Sequence, residues 1–200
     1  MKRWLGDKGK REAMNNKQGS EWFFWVKLSL IAITCAVVVR GFLFSPIVVD
    51  GPSMQPTLHD RDHMIVNKFI YHVSEPNRFD VVIFHASDEK DFIKRVIGLP
   101  GEHVAVKDNQ LYINDEKVNQ DFLKTEDVED LTNHKETEDF RLEELPGAYQ
   151  EIPDDYILVL GDNRTNSTDS RVFGLVSMDQ VVGKTSVIYW PLNRLDVLKK

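Results

Sequence analysis

The spacing of apolar residues changes character along the chain. From Trp22 to Val39, eighteen residues follow one another with Lys27 as their only charge. At 1.5 Å per residue this run predicts a helix about 27 Å long, close to a bilayer core of about 30 Å. Lys27, Trp22 and Trp25 sit at the end where a snorkelling cation and an aromatic belt belong. Beyond Pro46 the run gives way to short apolar stretches between turn formers, the signature of strands. Strands are predicted at 64–71, 80–85, 92–99, 103–107, 110–113, 156–160 and 184–190, with Asp108-Asn109 as a hairpin turn. Residues 119–150 break this pattern. They are dense in acid (Asp121, Glu126, Asp127, Glu129, Asp130, Glu136, Glu138, Asp139, Glu143, Glu144) and read as a solvated insertion between strands. The fold class is therefore mostly β, preceded by a transmembrane helix.

The flanks of the apolar run orient it. Its N-terminal side, residues 1–21, carries Lys2, Arg3, Lys8, Lys10, Arg11 and Lys17 against Asp7, Glu12 and Glu21, so the positive-inside bias keeps this basic tail cytoplasmic. Arg40-Gly41-Phe42-Leu43-Phe44 follows the run where a small-x-small cleavage site would be expected, and the run exceeds a usual signal-peptide core. These features favour an uncleaved anchor with its exit at 22–44 over a cleaved signal peptide or a buried core helix, and place 45–200 outside the cell membrane as a single-pass protein. With 200 residues and 42% apolar content, the chain supports one globular domain with a smaller insertion. The net charge of -7 and the lack of a basic stripe argue against nucleic acid as a partner. The lone Cys35 allows no intrachain disulfide and no thiolate metal site.

Three polar constellations interrupt the strand pattern. In the first, Gly51-Pro52-Ser53-Met54-Gln55-Pro56, two prolines and a glycine around a serine impose an extended, turn-bounded backbone that presents the hydroxyl from a rigid segment. Ser53 lies within about 30 Å of the membrane exit even for an extended chain. A serine needs a partner to take its proton. None of the histidines (His59, His63, His72, His85, His103, His134) stands in a recognisable Ser/His/Asp motif. His59 and His63 have the spacing of a metal pair but follow two prolines and lack the glutamate of H-E-x-x-H. The second constellation supplies another base: in Phe92-Ile93-Lys94-Arg95-Val96-Ile97, Lys94 is embedded in apolar sequence, where burial lowers the lysine pKa and a neutral amine becomes a base. Arg95 beside it is expected to hold its tip in water. The third runs from Gly161 to Arg171 after the strand at 156–160, and is either a solvated loop or a structured polar site. In an extended stretch Ser167, Asp169 and Arg171 would share one face.

Together, G-x-S-M-x-P-T-L, K-R-x-x-G-L-P-G and G-D-N-R-x-N-S-x-D-S-R resemble the signature boxes of the type I signal peptidases, in matching order and from the anchor to about Gly183. The single anchor and short catalytic region resemble the Gram-positive bacterial form, and Lys94 stands where the endoplasmic-reticulum-like branch has histidine. The resemblance implies a cofactor-free serine endopeptidase at the cell membrane that cuts signal peptides from exported preproteins after small residues. It also implies contact with membrane lipid and proximity to the secretion machinery. Its fold would be two antiparallel β-sheet subdomains, the second roughly corresponding to the insertion at 119–150. By position, Ser53 attacks the scissile carbonyl, Lys94 takes its proton, Ser167 hydrogen-bonds and orients Lys94, and Gly161, Asp169 and Arg171 support the site. The Ser53 backbone N–H would be one oxyanion donor. The second donor is unassigned, because Gly51 stands where some members carry a serine hydroxyl. Two rival readings remain open at this level. One is a self-cleaving repressor-type Ser/Lys protease, which predicts a soluble chain with a DNA-binding domain; the other is a membrane-tethered β-domain that only binds a partner.

Overall fold

The computed structural model describes residues 5–72, 74–87, 90–123 and 137–198. Lys2, Arg3, Glu126, Asp127, Glu129, Asp130, His134 and Glu136 lie outside the described residues. The chain divides into two compact units, Met1–Leu43 and Phe44–Lys200.

In the first unit, helix α1 (Leu5–Val38) passes from the basic segment into the apolar run without a break and ends in a π-helical turn, Val39–Leu43. Every side chain from Trp22 to Val38 is exposed. Among the described residues, no helix is long and apolar enough to cross a membrane. Val39, the last residue of the apolar run, falls in the π-helical turn rather than in α1.

The second unit is almost entirely β. In chain order its strands are β1 (Phe44–Val48), β2 (His63–Asn67), β3 (Val81–Ser87), β4 (Lys90–Gly98), β5 (Val104–Lys107) and β6 (Gln110–Ile113). Then come β7 (Glu116–Val118), β8 (Phe140–Arg141), β9 (Tyr156–Leu160), β10 (Val176–Ser177), β11 (Val181–Trp190) and β12 (Asp196–Val197). A short helix, α2 (Ser170–Phe173), precedes β10. The larger sheet has the order β1-β2-β11-β3-β4-β9-β10, with β12 against the far end of β11, and the smaller has the order β7-β6-β5-β8. All the pairings are antiparallel.

Local chemistry explains where the strands stop. The predicted strand 64–71 ends at Asn67 because the Asn67 Oδ1 accepts the N–H groups of Phe69 (3.0 Å) and Ile70 (3.2 Å), folding the chain away from the ladder. Between β5 and β6, Asp108 and Asn109 have φ of 49° and 61°, the left-handed pair that a two-residue hairpin requires. The smaller sheet draws β5, β6 and β7 from residues 104–118, so only β8 comes from the stretch 119–150. The acid-rich sequence hid the fact that its neighbours, not itself, carry the strand alternation.

The two sheets share one core. Ile97, Leu158 and Leu160 of the larger sheet pack with Val104, Val106, Leu111, Ile113, Phe140 and Leu142. Gly98, at the end of β4, is wedged where this core is tightest: a Cβ there would lie 2.5 Å from Ile152 Cδ1 and 2.6 Å from Val104 Cγ2. Gly98→Ala is therefore expected to destabilise the domain by about 1–3 kcal/mol, read as a lowered urea midpoint with an unchanged slope.

Candidate active site

Ser53 sits in the irregular segment between β1 and β2. Met54 and Leu58 are its anchors, buried against Val49, Met64, Val81 and Ile188. The base of the loop is closed by Val49 N–H to Asp62 O (2.8 Å) and Arg61 N–H to Val49 O (2.9 Å). Gly51 has φ +91°, a conformation that side chains rarely adopt, and its N–H donates to Asp60 Oδ1 (3.1 Å). A serine at this position would be strained.

Lys94 lies on β4 opposite Val82 of β3, and its side chain reaches the serine. Its Nζ is 2.8 Å from Ser53 Oγ and donates to the Ile93 carbonyl at 3.1 Å. The residue is only 3% exposed, with the Phe92 ring 5.2 Å from Nζ. Burial pushes the Lys94 ammonium down to about 8, against the opposing pull of the Asp169 and Asp162 charges. An amine that loses its charge around pH 8 and lies in hydrogen-bond reach of a hydroxyl can accept its proton.

Arg95 departs from expectation. Rather than ending in water it is 0% exposed, because strand alternation turns it to the opposite face from Lys94, into the core between β4 and the loop after β9. There its guanidinium grips Asp162 through Nε (2.8 Å) and Nη2 (2.6 Å), and donates to the Phe79 carbonyl (2.9 Å). The same carboxylate accepts the Thr57 hydroxyl at 2.5 Å. Asp162 thus fastens all three polar constellations to one another.

The loop 161–171 is a structured polar site. Asp162, Asn163, Arg164, Asp169 and Ser170 are all buried. Asp169 caps α2 and pairs with Arg171 through Nε and Nη2, each at 2.8 Å. It also accepts the Gly161 N–H at 3.0 Å. Burial alone would raise the Asp169 carboxyl; the bonds and charge of Arg171 outweigh it and hold the group below its ordinary value. Arg164 crosses to the smaller sheet's connections, donating to Gln120 Oε1 (2.6 Å) and Thr137 Oγ1 (3.0 Å). Gly161 fits because it has no side chain: a Cβ would collide with Ser167 Oγ and lie 2.5 Å from the Ser53 carbonyl.

Ser167 is brought into this cluster, but not in the expected way. Among the described residues, Lys94 Nζ donates to Ser53 Oγ and to the Ile93 carbonyl, and the buried Ser167 Oγ has no hydrogen-bond partner. It packs on Gly161. A residue that the sequence reading passed over is Asn163, whose N–H donates to the Ser53 carbonyl (3.1 Å) and whose Nδ2 donates to the Pro52 carbonyl (3.2 Å). Its place two residues after Gly161 in the polar loop is the available signal.

Ser53 and Lys94 open into a cleft of about 430 Å³. Its walls combine apolar side chains (Ile47, Val49, Met54, Ile83, Ile93) with polar ones (Asp50, Asp91, Asn166, Thr168). A second cleft, of about 530 Å³, is lined by Arg95 and Arg194, each paired to a buried aspartate, and by Asp121 and Asp196, but among the described residues it holds no serine or other hydroxyl nucleophile beside a lysine. Among the described residues, no three metal-ligating side chains come together.

A desolvated lysine facing a serine hydroxyl is a pairing in which an amine could do the proton transfer that imidazole does elsewhere. The family model "Signal peptidase, peptidase S26" matches residues 22–190. Signal peptidase I of Bacillus caldolyticus is 42% identical over 178 residues, covering 89% of this chain and 94% of that protein. Signal peptidase IB of Staphylococcus aureus is 38% identical over 176 residues, 84% of this chain and 90% of that protein. The crystal structure of a signal peptidase I from Enterococcus faecalis superposes with a TM-score of 0.50 at 38% identity, covering 56% of this chain and 97% of that one. The chain belongs to the signal peptidase family, peptidase S26, and is a serine endopeptidase.

The buried pair at the centre of the site makes a stability prediction. Asp162→Ala leaves the Arg95 guanidinium buried and unpaired, and should cost about 3–5 kcal/mol, measured by chemical denaturation of the purified protein.

Proposed function

We propose that the chain removes N-terminal signal peptides from exported preproteins by a Ser/Lys dyad, with Ser53 as nucleophile and Lys94 as general base. The observation that carries this reading is the 2.8 Å approach of Lys94 Nζ to Ser53 Oγ in a cleft that lowers the lysine pKa. Ser53 Oγ attacks the scissile carbonyl while its proton passes to Lys94 Nζ. The oxyanion forms beside the Ser53 N–H, and the protonated lysine then gives that proton to the leaving amine. Water, deprotonated by Lys94, releases the acyl group and restores the serine. Apolar walls made by Val49, Met54 and Ile93 suit small apolar residues next to the cut. Gly161, Asp169 and Arg171 act in support, keeping the loop against Ser53. Ser167 packs on Gly161 of that loop.

The same reading makes residues 22–44 a single membrane anchor and its exit. Its support is that every side chain from Trp22 to Val38 is exposed, in a stretch of helix whose one charge is Lys27, a surface suited to lipid. The basic residues before it place the N-terminus in the cytoplasm and the β-unit, with its acidic insertion, on the outer face, near emerging preproteins.

Ser53→Ala and Lys94→Met are each expected to abolish preprotein cleavage in detergent while the protein keeps its melting temperature; turnover by either variant would refute the dyad. With neutral Lys94 as base, log kcat/KM should fall by about one unit per pH unit below an apparent pKa of about 8 and level off above it. A limb near the free lysine value of about 10.4 would contradict it. For topology, protease added to right-side-out vesicles should digest the β-unit and spare the first 21 residues.

A further inference from the structure

We infer that Asn163 is a positioning residue for the oxyanion site: it fixes the Pro52–Ser53 peptide so that the Ser53 N–H stays aimed into the cleft. The inference rests on the proposed role of Ser53 as nucleophile.

A peptide unit is planar and its carbonyl and N–H point to opposite sides, so anchoring the oxygen of one unit aims the hydrogen of the same unit. The Pro52 carbonyl belongs to the unit whose N–H is that of Ser53. Asn163 Nδ2 donates to this carbonyl at 3.2 Å, and the Asn163 N–H donates to the Ser53 carbonyl at 3.1 Å. One residue therefore holds the peptide planes on both sides of the Ser53 Cα. The Ser53 N–H has no acceptor among the described residues and points away from Asn163, leaving it free for a developing oxyanion.

The orientation of the Asn163 amide is itself determined. Its Oδ1 accepts the Asn166 N–H and the Thr165 hydroxyl, both at 3.2 Å, and its Nδ2 faces a carbonyl. A flipped amide would put oxygen against oxygen at Pro52 and nitrogen against an N–H at Asn166. Asn163 is 2% exposed, so no water replaces these bonds cheaply. Gly161 allows the approach, since a Cβ there would meet the Ser53 carbonyl that Asn163 holds. None of these contacts involves Lys94, so the base and the oxyanion donor are supported by different groups.

The test compares a peptide aldehyde, whose hemiacetal with serine carries the oxyanion, with the corresponding peptide alcohol, which does not. In Asn163→Ala, kcat should fall tenfold to a hundredfold with KM nearly unchanged, the scale expected for a loosened oxyanion donor. Aldehyde affinity should weaken by a similar factor relative to the alcohol, and the acid limb of the pH profile should stay in place. Asn163→Asp retains the shape and the Oδ1 bonds while removing the Nδ2 donor, and should show the same loss of aldehyde preference, with folding checked by its melting temperature. Equal weakening of aldehyde and alcohol in a folded variant, a moved acid limb in Asn163→Ala, or unchanged kcat overturns the inference. Ser53→Ala, assayed alongside, separates the two claims: cleavage by that variant removes the dyad reading, whereas its inactivity beside an unaltered Asn163→Ala removes this inference alone.

Discussion

Two adjacent cations on β4 are both buried, yet they meet opposite fates, and the site depends on that difference. Arg95 takes the Asp162 carboxylate and Arg171 takes that of Asp169. These are the two negative charges that act on Lys94, and each is already bonded to an arginine. Lys94 is thus desolvated without a carboxylate of its own, and its ammonium is held near 8 rather than above 10. Arginine suits the paired positions because its fork matches a carboxylate and it stays charged when buried; lysine suits the remaining one because it can give up its proton.

The Asp162 carboxylate also has an architectural role. It receives Arg95 from the large sheet and Thr57 from the segment carrying Ser53, while belonging itself to the loop after β9. Burying such a pair costs several kcal/mol per ion, recovered only when the geometry is good and the remaining polar atoms are satisfied. Here both carboxylate oxygens are used, so the cost is offset by fixing three distant segments in one geometry. Asn163, the next residue, extends that register to the backbone on either side of Ser53.

Glycines set the spacing where side chains could not. Gly161 lets the loop close on the Ser53 carbonyl, and Gly98 lets the smaller sheet close on the larger. Gly51 has the opposite role: nothing crowds it, but its φ of +91° would strain any side chain placed there. The proposed oxyanion site is accordingly built more from the Ser53 N–H and its anchoring than from a neighbouring side chain.

Much of this was legible in the sequence. Short apolar stretches between turn formers located β2 to β6, β9 and β11, since strand alternation and turn chemistry are local properties. The three polar constellations marked the site for the same reason, because their residue types are unusual for the strands around them. What the sequence left open depended on contacts between segments far apart in the chain. Arg95 read as a solvent-facing cation because nothing local announces Asp162, 67 residues away. Ser167 read as a partner of Lys94 by resemblance alone, and its hydroxyl lies against Gly161 with no hydrogen bond among the described residues. The two-residue strands β8, β10 and β12 are too short to show a period. The sequence by itself determined which residues could do chemistry; only the tertiary structure decided which carboxylate each cation would meet, because that choice is made by packing and desolvation across the core.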